Sequence, residues 1–162
     1  MKNLFALLLI PNFLFAGWTV GYTAVDFDDV VDLGALYASY TWQTSDKVEV
    51  ELGLGVGVTD DSDNFDDGGV SVAAIAELDP SLLIRGKYLV NENFFVGLSA
   101  GRIAATGTVI ACGGGQCFSE SVSESDFDVG VGAGFRFGKD SAFSVSFDSI
   151  ADTQLMSIGY SF

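Results

Sequence analysis

Apolar and polar residues alternate singly along most of this chain, in segments separated by clusters of Gly, Ser, Asp or Asn. In the segment 126–137, a row of Phe, Val and Ala alternates with a row of Asp, Gly and Arg. Successive side chains of a β-strand point to opposite faces, so the pattern predicts strands with one apolar face and one small or charged face. Eight such segments predict an all-β fold, an eight-stranded antiparallel up-and-down β-barrel, and the composition of its two faces makes it a transmembrane β-barrel. The strands are expected near 18–25, 33–43 and 47–58, then ending near Val90 and Ala105, and last at 126–137, 143–148 and 156–162.

One further segment, Val70 to Leu78, fits the alternation in two ways. It is either an additional strand before Asp79 and Pro80, or an outward extension of the fourth strand. Nine ring strands would leave the two termini at opposite rims, whereas single-chain bacterial barrels have even numbers of strands. We therefore expect an extension.

Alternation alone does not separate a membrane barrel from a soluble one such as a lipocalin, because both alternate. The polar face is mostly Gly and Ser with charges of both signs, which suits a crowded interior better than a water-facing exterior. Connections at 44–46, 91–93 and 138–141 are short, while longer polar ones lie between them. Short periplasmic turns and long outer loops are typical of outer-membrane barrels. The aromatic girdle at the periplasmic rim is then expected to include Trp42, Phe94, Phe143 and Phe162.

The amino terminus has the pattern of a processing signal, with Lys2 ahead of the apolar run 4–10 and then Pro11. We predict a signal peptide at 1–16 and a single outer-membrane β-barrel domain at 17–162; a retained amphipathic anchor is the alternative. Lys and Arg number 7 against 22 Asp and Glu. This acidic balance makes nucleic acid an unsuitable partner, because phosphate backbones require a basic surface.

Three stretches carry a family resemblance: Gly-Leu-Gly-Val-Gly at 53–57, Val-Gly-Val-Gly-Ala-Gly at 129–134, and the closing Ser-Ile-Gly-Tyr-Ser-Phe. With the signal peptide, they resemble the outer-membrane β-barrel domain family, similar to OmpA, OmpX and the opacity-type small porins. The resemblance implies location in the bacterial outer membrane, with the N- and C-termini periplasmic, and contact with outer-membrane lipid and lipopolysaccharide. It also implies an assembly signal that the barrel-assembly machinery recognises, formed by Ile158, Tyr160 and Phe162.

The predicted inner face carries charges of both signs. Unpaired charges in a narrow lumen are costly, so we expect a salt-bridge network across strands. Its centre is predicted at Glu51, Arg85, Lys87, Asp128 and Arg136, which resembles the salt-bridge plug inside OmpA-type barrels. A filled interior is one interpretation, and a gated polar path for ions is the other. The predicted network consists of Glu49, Glu51, Arg85, Lys87, Asp126, Asp128, Arg136 and Asp148.

Two loops hold the remaining candidate sites. Cys112 and Cys117 bracket a Gly-rich tetrapeptide, and in an exported protein two thiols without any His favour a local disulfide over a metal site. An acidic run before Gly68 resembles a calcium loop in composition, but lacks the spacing and the terminal Glu of an EF-hand. It is either a solvated loop or a weak Ca²⁺ or Mg²⁺ site bridging to lipopolysaccharide. Its candidate ligands are Asp60, Asp61, Asp63, Asp66 and Asp67.

The chain contains no His, which excludes Ser-His-Asp hydrolysis, His general-base chemistry and His-ligated metals. We therefore expect no enzyme activity, no catalytic residue and no cofactor. The favoured function is structural or surface display, namely membrane integrity, adhesion or binding of an unidentified extracellular ligand through acidic loops. The alternatives are a narrow porin or ion channel through the charged lumen, an outer-membrane enzyme that uses carboxylates alone, and a soluble secreted barrel. We expect a monomer.

Overall fold

The computed structural model describes residues 16–27, 31–67, 69–138 and 142–162. The predicted signal peptide, residues 1–16, lies outside this part of the chain except for Ala16. Within the described ranges, no helix is long and apolar enough to cross a membrane. The described residues form ten β-strands: β1 (Ala16–Phe27), β2 (Val31–Ser45), β3 (Val48–Gly57), β4 (Asp60–Asp67), β5 (Val70–Leu78), β6 (Ser81–Leu89), β7 (Phe94–Gly113), β8 (Gln116–Phe137), β9 (Phe143–Ile150) and β10 (Thr153–Ser161).

Eight of these strands close into a ring in which every neighbouring pair is antiparallel. Round the ring the order is β1, β2, β3, β6, β7, β8, β9 and β10. β10 returns to β1, where the backbones of Trp18 and Phe162 exchange hydrogen bonds of 3.2 and 2.9 Å. Within the ring, closure pairs both sides of each strand, which removes the unpaired edges of an open sheet. The predicted eight-stranded antiparallel barrel is confirmed.

β5 and β6 both pair with β7, one after the other along its length. β6 pairs as far as Leu82 opposite Arg102, and β5 takes over from Leu78 opposite Ala105. Three residues of the connection therefore face two of β7, which is a bulge at the Asp-Pro step. The proline suits a bulge because it has no N–H to give to a regular ladder. The predicted extension of the fourth ring strand is confirmed.

Two regions that we expected to be loops are β-structure instead. The acidic segment after β3 is strand β4, which pairs with β5 along its length. Between Ala105 and Asp126 the chain forms a continuous hairpin, in which β7 and β8 stay paired up to a turn at Gly114 and Gly115. Both turn glycines have positive φ, 59° and 81°, as a type I′ turn requires. The loop prediction was wrong because Asp, Ser and Gly disfavour strands locally, whereas here a neighbouring strand supplies the pairing.

These strands build a sheet that projects beyond one end of the ring, here called the outer sheet. It consists of β4, β5 and the outer parts of β7 and β8, residues 105–113 and 116–126. β8 pairs with β9 only from Gly130 onward. Among the described residues, the edges of the outer sheet are therefore β4 and the outer part of β8.

The exterior of the ring is apolar. Outward-pointing side chains such as Leu98 and Val129 are 71% and 74% exposed. The end of the ring at which β2 turns into β3 and β6 turns into β7 is here called the short-turn end. At this end, aromatic side chains contact one another in three groups that form a belt. All four residues predicted for the girdle lie in this belt. Its members are Trp18, Tyr40, Trp42, Phe94, Phe135, Phe137, Phe143, Tyr160 and Phe162.

The lumen holds two layers of different chemistry. The layer nearer the short turns, here called the polar layer, contains charged and hydroxyl side chains. The layer nearer the outer sheet, here called the apolar layer, corrects our expectation of glycine, serine and ions throughout the interior. An eight-stranded ring has room only for side chains, so an apolar filling closes it as well as a polar one. The fully buried members of the apolar layer are Val25, Leu33, Ala35, Leu78, Ile150 and Leu155.

Candidate functional site

The polar layer centres on Arg85, which points inward from β6. Its Nε donates to Asp148 Oδ1 at 3.0 Å and its Nη1 to Glu51 Oε1 at 3.3 Å, and its Nη2 also pairs with Asp148. All three residues are buried, and Asp148 is only 1% exposed. Asp148 lies on β9, beyond both β7 and β8 from Arg85, so this ion pair crosses the lumen.

Lys87 and Ser99 complete the contacts of the two carboxylates. Lys87 Nζ pairs with Glu51 Oε2, and Ser99 Oγ donates to Asp148 Oδ1 at 2.5 Å. Each buried carboxylate therefore has two partners. Such contacts are needed because a carboxylate taken out of water without partners is strongly destabilising.

A second ion pair joins β8 to β3. Arg136 Nη1 donates to Glu49 Oε1 at 2.9 Å, and Nη2 pairs with the other carboxylate oxygen, so the contact is bidentate. The buried ring of Phe95 lies beside both groups of charges, with its centroid 5.0 Å from Lys87 Nζ and 5.4 Å from Arg136 Cζ. Phe95 thus links the two ion pairs through cation–π contacts.

Opposite charges balance within this network. Its ion pairs join three acids, Glu49, Glu51 and Asp148, to three bases. The formal charge of the paired groups is therefore zero, although the whole chain carries −15. The excess negative charge lies outside the paired lumen groups.

Inner-face glycines make room for the larger members of the network. A Cβ at Gly132 would collide with the Asp148 carboxylate, and a Cβ at Gly134 would collide with the Phe95 ring. Glycine in a strand often marks such a close approach. The glycine-rich inner face is thus packed against particular side chains.

Six of the eight residues predicted for the network contact one another in the described structure. Asp128, expected at its centre, has no ion pair there. It lies four residues along β8 from Gly132, the partner of Asp148, and this separates the two levels by ~13 Å at the usual rise of a strand. Asp148 takes the central place that we expected for Asp128. The side chain of Asp126 is outside the described part of the chain.

Phe95 and Ser99 belong to the site but were not predicted. Both lie on the inner face of β7, alternating with the outward residues Val96 and Leu98. Alternation therefore contained the signal for their direction. It held no signal for their partners, because those lie on other strands.

Separate cavities occupy the two ends of the lumen. One of about 290 Å³ lies in the polar layer and is lined by Thr19, Glu49 and Arg136 among others. One of about 550 Å³ opens under the outer sheet and is lined by residues that include Asp128 and Ile150. No described residue lines both cavities. A smaller cavity of about 60 Å³ lies between them and is lined by side chains of both the network and the apolar layer, so the two layers narrow the lumen between its ends.

The predicted cation ligands lie along strand β4. Alternation sends Asp61 and Asp63 to one face and Asp60 and Asp66 to the other. The side chain of Asp67 is not described. Across the described ranges, no group of three or more acids or Cys is arranged to hold a metal ion. The structure does not bring the predicted ligands together.

The predicted disulfide between Cys112 and Cys117 is confirmed. The two residues lie opposite each other at the tip of the β7–β8 hairpin. The residues of the expected assembly signal, Ile158, Tyr160 and Phe162, lie at the carboxyl end of the chain and are exposed. Their recognition by an assembly machinery stays a prediction.

The fold and this site define a class: a closed, eight-stranded antiparallel barrel with an apolar exterior and a charge-paired interior. No protein-family model and no curated protein matches the chain. Among solved structures, it is similar to Ail, the attachment invasion locus protein of Yersinia pestis, in complex with the heparin analogue sucrose octasulfate, at 18% identity over 91% of this chain and 97% of that chain, with a TM-score of 0.48.

Two further solved structures are similar at lower scores. CarO2 of Acinetobacter baumannii is 13% identical over 90% of this chain and 99% of that chain, with a TM-score of 0.43. The N-terminal β-barrel domain of Pseudomonas aeruginosa OprF is 15% identical over 90% and 97%, with a TM-score of 0.41. At these identities and scores, the function of the chain has to be inferred from its own residues.

Proposed function

We propose that the chain is a non-enzymatic barrel of the bacterial outer membrane, closed along its axis, that displays the outer sheet at the cell surface. Display would serve adhesion, partner binding or membrane integrity. One observation carries the proposal: charged groups are paired and buried in the centre, while large apolar side chains cover the outside of the ring. This arrangement would be unfavourable in water, because a large apolar surface would be exposed to the solvent. In a membrane the same surface would contact lipid.

The length of the ring strands suits a membrane. β3 has ten residues, and at ~3.4 Å per residue and a tilt of ~40° it spans ~26 Å along the barrel axis. Outer-membrane barrels have an apolar band of ~25 Å flanked by aromatic residues. The aromatic belt at the short-turn end would lie at one membrane interface.

The asymmetry of the two ends supports one orientation of the barrel in the membrane. Short turns on the periplasmic side and long projections outside are the common arrangement in such barrels. We therefore assign the short-turn end, which includes Phe162, to the periplasm. The acidic outer sheet then faces the outside of the cell.

The filled lumen favours display over the alternative of a narrow channel. An ion would have to pass both the polar layer and the apolar layer. Residues such as Ile150 and Leu155 offer no polar group to replace the hydration shell of an ion. The side chains of both layers would have to rearrange before ions passed.

Bilayer recordings with the purified, refolded full chain test the proposal. We expect insertion into lipid vesicles, with heat-modifiable migration on gels, and no discrete channel openings. Regular single-channel openings would overturn the closed lumen and favour the channel. A protein that stays dissolved without detergent or lipid would overturn the membrane location.

A further inference from the structure

The two faces of the outer sheet differ in chemistry. On one face, Thr and Ser hydroxyls bond across the β7–β8 hairpin, with Oγ–Oγ distances of 2.7 Å for Thr106 and Ser123 and 2.9 Å for Thr108 and Ser121. The other face is continuous with the inner face of the ring strands and is called the inner face of the outer sheet. No Lys or Arg occurs on any strand segment of the outer sheet. The sheet is therefore acidic, and only one of its faces satisfies its own polar groups in this way.

Cross-strand pairing aligns the inner face into rows that run from edge to edge. One row has a carboxylate on each edge strand and apolar residues between: Asp63, Ala74, Val109 and Glu120. The next row toward the tip ends in two aromatic side chains, Phe65 and Phe118, which are 59% and 72% exposed. The inner face thus has an apolar floor with acidic groups at both margins.

This face forms a groove of about 650 Å³. Asp61 and Asp63 line one side and Glu120 the other, while the floor includes Ala74 and Val109. Ligand pockets commonly measure ~300–1,000 Å³. The groove also joins the cavity of about 550 Å³ at the barrel mouth, because Ala76, Gly107 and Val122 line both.

We propose that this groove binds a cationic amphipathic α-helix of a partner. The helix lies along the strands, with its apolar side on the floor and its Lys or Arg side chains against the two acidic margins. This assignment rests on the proposed display function, because it requires the groove to face the outside. It gives that function a partner of defined chemistry.

The dimensions of the groove fit a helix. Three intervals between neighbouring strands, each ~4.8 Å, separate its margins by ~14 Å. A helix with its side chains is ~10–12 Å wide. β5 has nine residues and is ~30 Å long, which accommodates ~20 residues of helix at 1.5 Å per residue.

Charge and exposure favour this occupant over others. The outer sheet of a second copy of this chain, or an anionic ligand, would bring like charges together, and like charges suppress association. A simple inorganic cation would use the carboxylates but leave Phe65, Phe118 and Val122 in water. An amphipathic helix covers the apolar floor and, at the same time, pairs its Lys or Arg side chains with the acids. This is the helix-in-groove mode of peptide recognition.

Peptide titration of the full chain in nanodiscs of zwitterionic lipid tests the proposal. The probe is a fluorescent peptide of Leu and Lys, about 18 residues long, patterned to place all Leu on one helical face. Its control is a scrambled peptide of the same composition, and empty nanodiscs measure binding to lipid. We expect saturable binding of the patterned peptide that weakens as salt is raised.

Two matched variants locate the site. Asp61→Asn, Asp63→Asn and Glu120→Gln together neutralise three acids of the inner face, and we expect them to weaken binding about tenfold. Asp60→Asn, Asp66→Asn and Glu77→Gln neutralise three acids of the opposite face, and we expect less than about a twofold change. Heat-modifiable migration of both proteins checks that each variant is folded. Equal effects of the two triple variants would overturn the assignment to this face.

The apolar floor has a test of its own. Val109→Ser replaces an apolar side chain of the groove by a hydroxyl group, while Ile110→Ser makes a similar change on the opposite face. We expect the first to weaken peptide binding about fivefold and the second to leave it unchanged. Binding of the scrambled peptide as tight as that of the patterned one, or no binding above empty nanodiscs, would overturn the inference. The display function fails on a different result, namely failure of the chain to insert into vesicles.

Discussion

The polar and apolar layers close the same lumen by opposite chemistry. On β9, Asp148 and Ile150 lie two residues apart on the inner face and are 1% and 2% exposed, so one strand contributes to both layers. Asp148 is held by directional contacts to Arg85 and Ser99, whereas Ile150 packs without directional contacts. A charge network fails when one partner is removed, while an apolar cluster loses stability roughly in proportion to the volume removed. The comparison therefore predicts a ranking of substitutions.

The largest effect is expected for Asp148→Ala. It leaves the buried Arg85 guanidinium with Glu51 alone, and breaking one half of a buried ion pair costs about 3–5 kcal/mol. Urea unfolding in lipid vesicles, followed by tryptophan fluorescence, measures the loss. Asp128→Ala is the control, because it removes the same group from the inner face outside the network, and it should cost less than about 1 kcal/mol. Equal losses for the two variants would contradict the network.

A smaller loss is expected for Ile150→Ala in the apolar layer. Removal of a buried Ile side chain down to Ala costs about 2–4 kcal/mol through lost burial and the cavity left behind. Ile150→Val serves as the graded control, with an expected loss of about 1 kcal/mol. The same unfolding measurement applies. A loss greater than that of Asp148→Ala would reverse the ranking of the layers.

Phe95→Leu is expected to have a still smaller effect within the polar layer, about 1–2 kcal/mol, because it removes the ring face next to Lys87 and Arg136. A double-mutant cycle with Arg136→Gln isolates the cation–π part, with an expected coupling of about 0.5–1 kcal/mol. Additive losses would show that Phe95 only fills space.

The smallest effect on the ring is expected for replacing Cys112 and Cys117 by Ser. The disulfide lies at the tip of the outer hairpin, away from the ring contacts, so unfolding of the ring should change by less than about 0.5 kcal/mol. Limited proteolysis within 105–126 should become faster, because the tip opens more readily. An unchanged cleavage rate together with a destabilised ring would contradict this separation.

The ring itself was predictable from the sequence because side-chain direction in a strand is a local property. The rows that end in Phe137 and Phe162 show period-2 alternation without any knowledge of neighbours. β4 was not predictable in this way. Its five Asp residues resemble a solvated loop, and only the pairing with β5, a non-local contact, makes the segment a strand.

The candidate site was predictable only in part, namely in the direction of its side chains. Alternation correctly sent Glu51, Arg85 and Asp148 inward, but depth along the barrel axis depends on how neighbouring strands are staggered. From the sequence alone, Asp128 and Asp148 were therefore equally suitable candidates for the centre of the network. Only the ring register shows that they lie at different depths in the barrel. The apolar layer escaped prediction for the same reason.

Spin-label accessibility along β9 tests the central claim most directly. Single Cys substitutions at Phe143, Val145 and Phe147, and at the inward Ser144 and Ser146, are labelled with the native disulfide intact and measured in lipid vesicles. The account predicts high access of lipid-dissolved oxygen at the first three positions and low access at the two serines. High oxygen access at the serines, with the three apolar positions shielded, would contradict it.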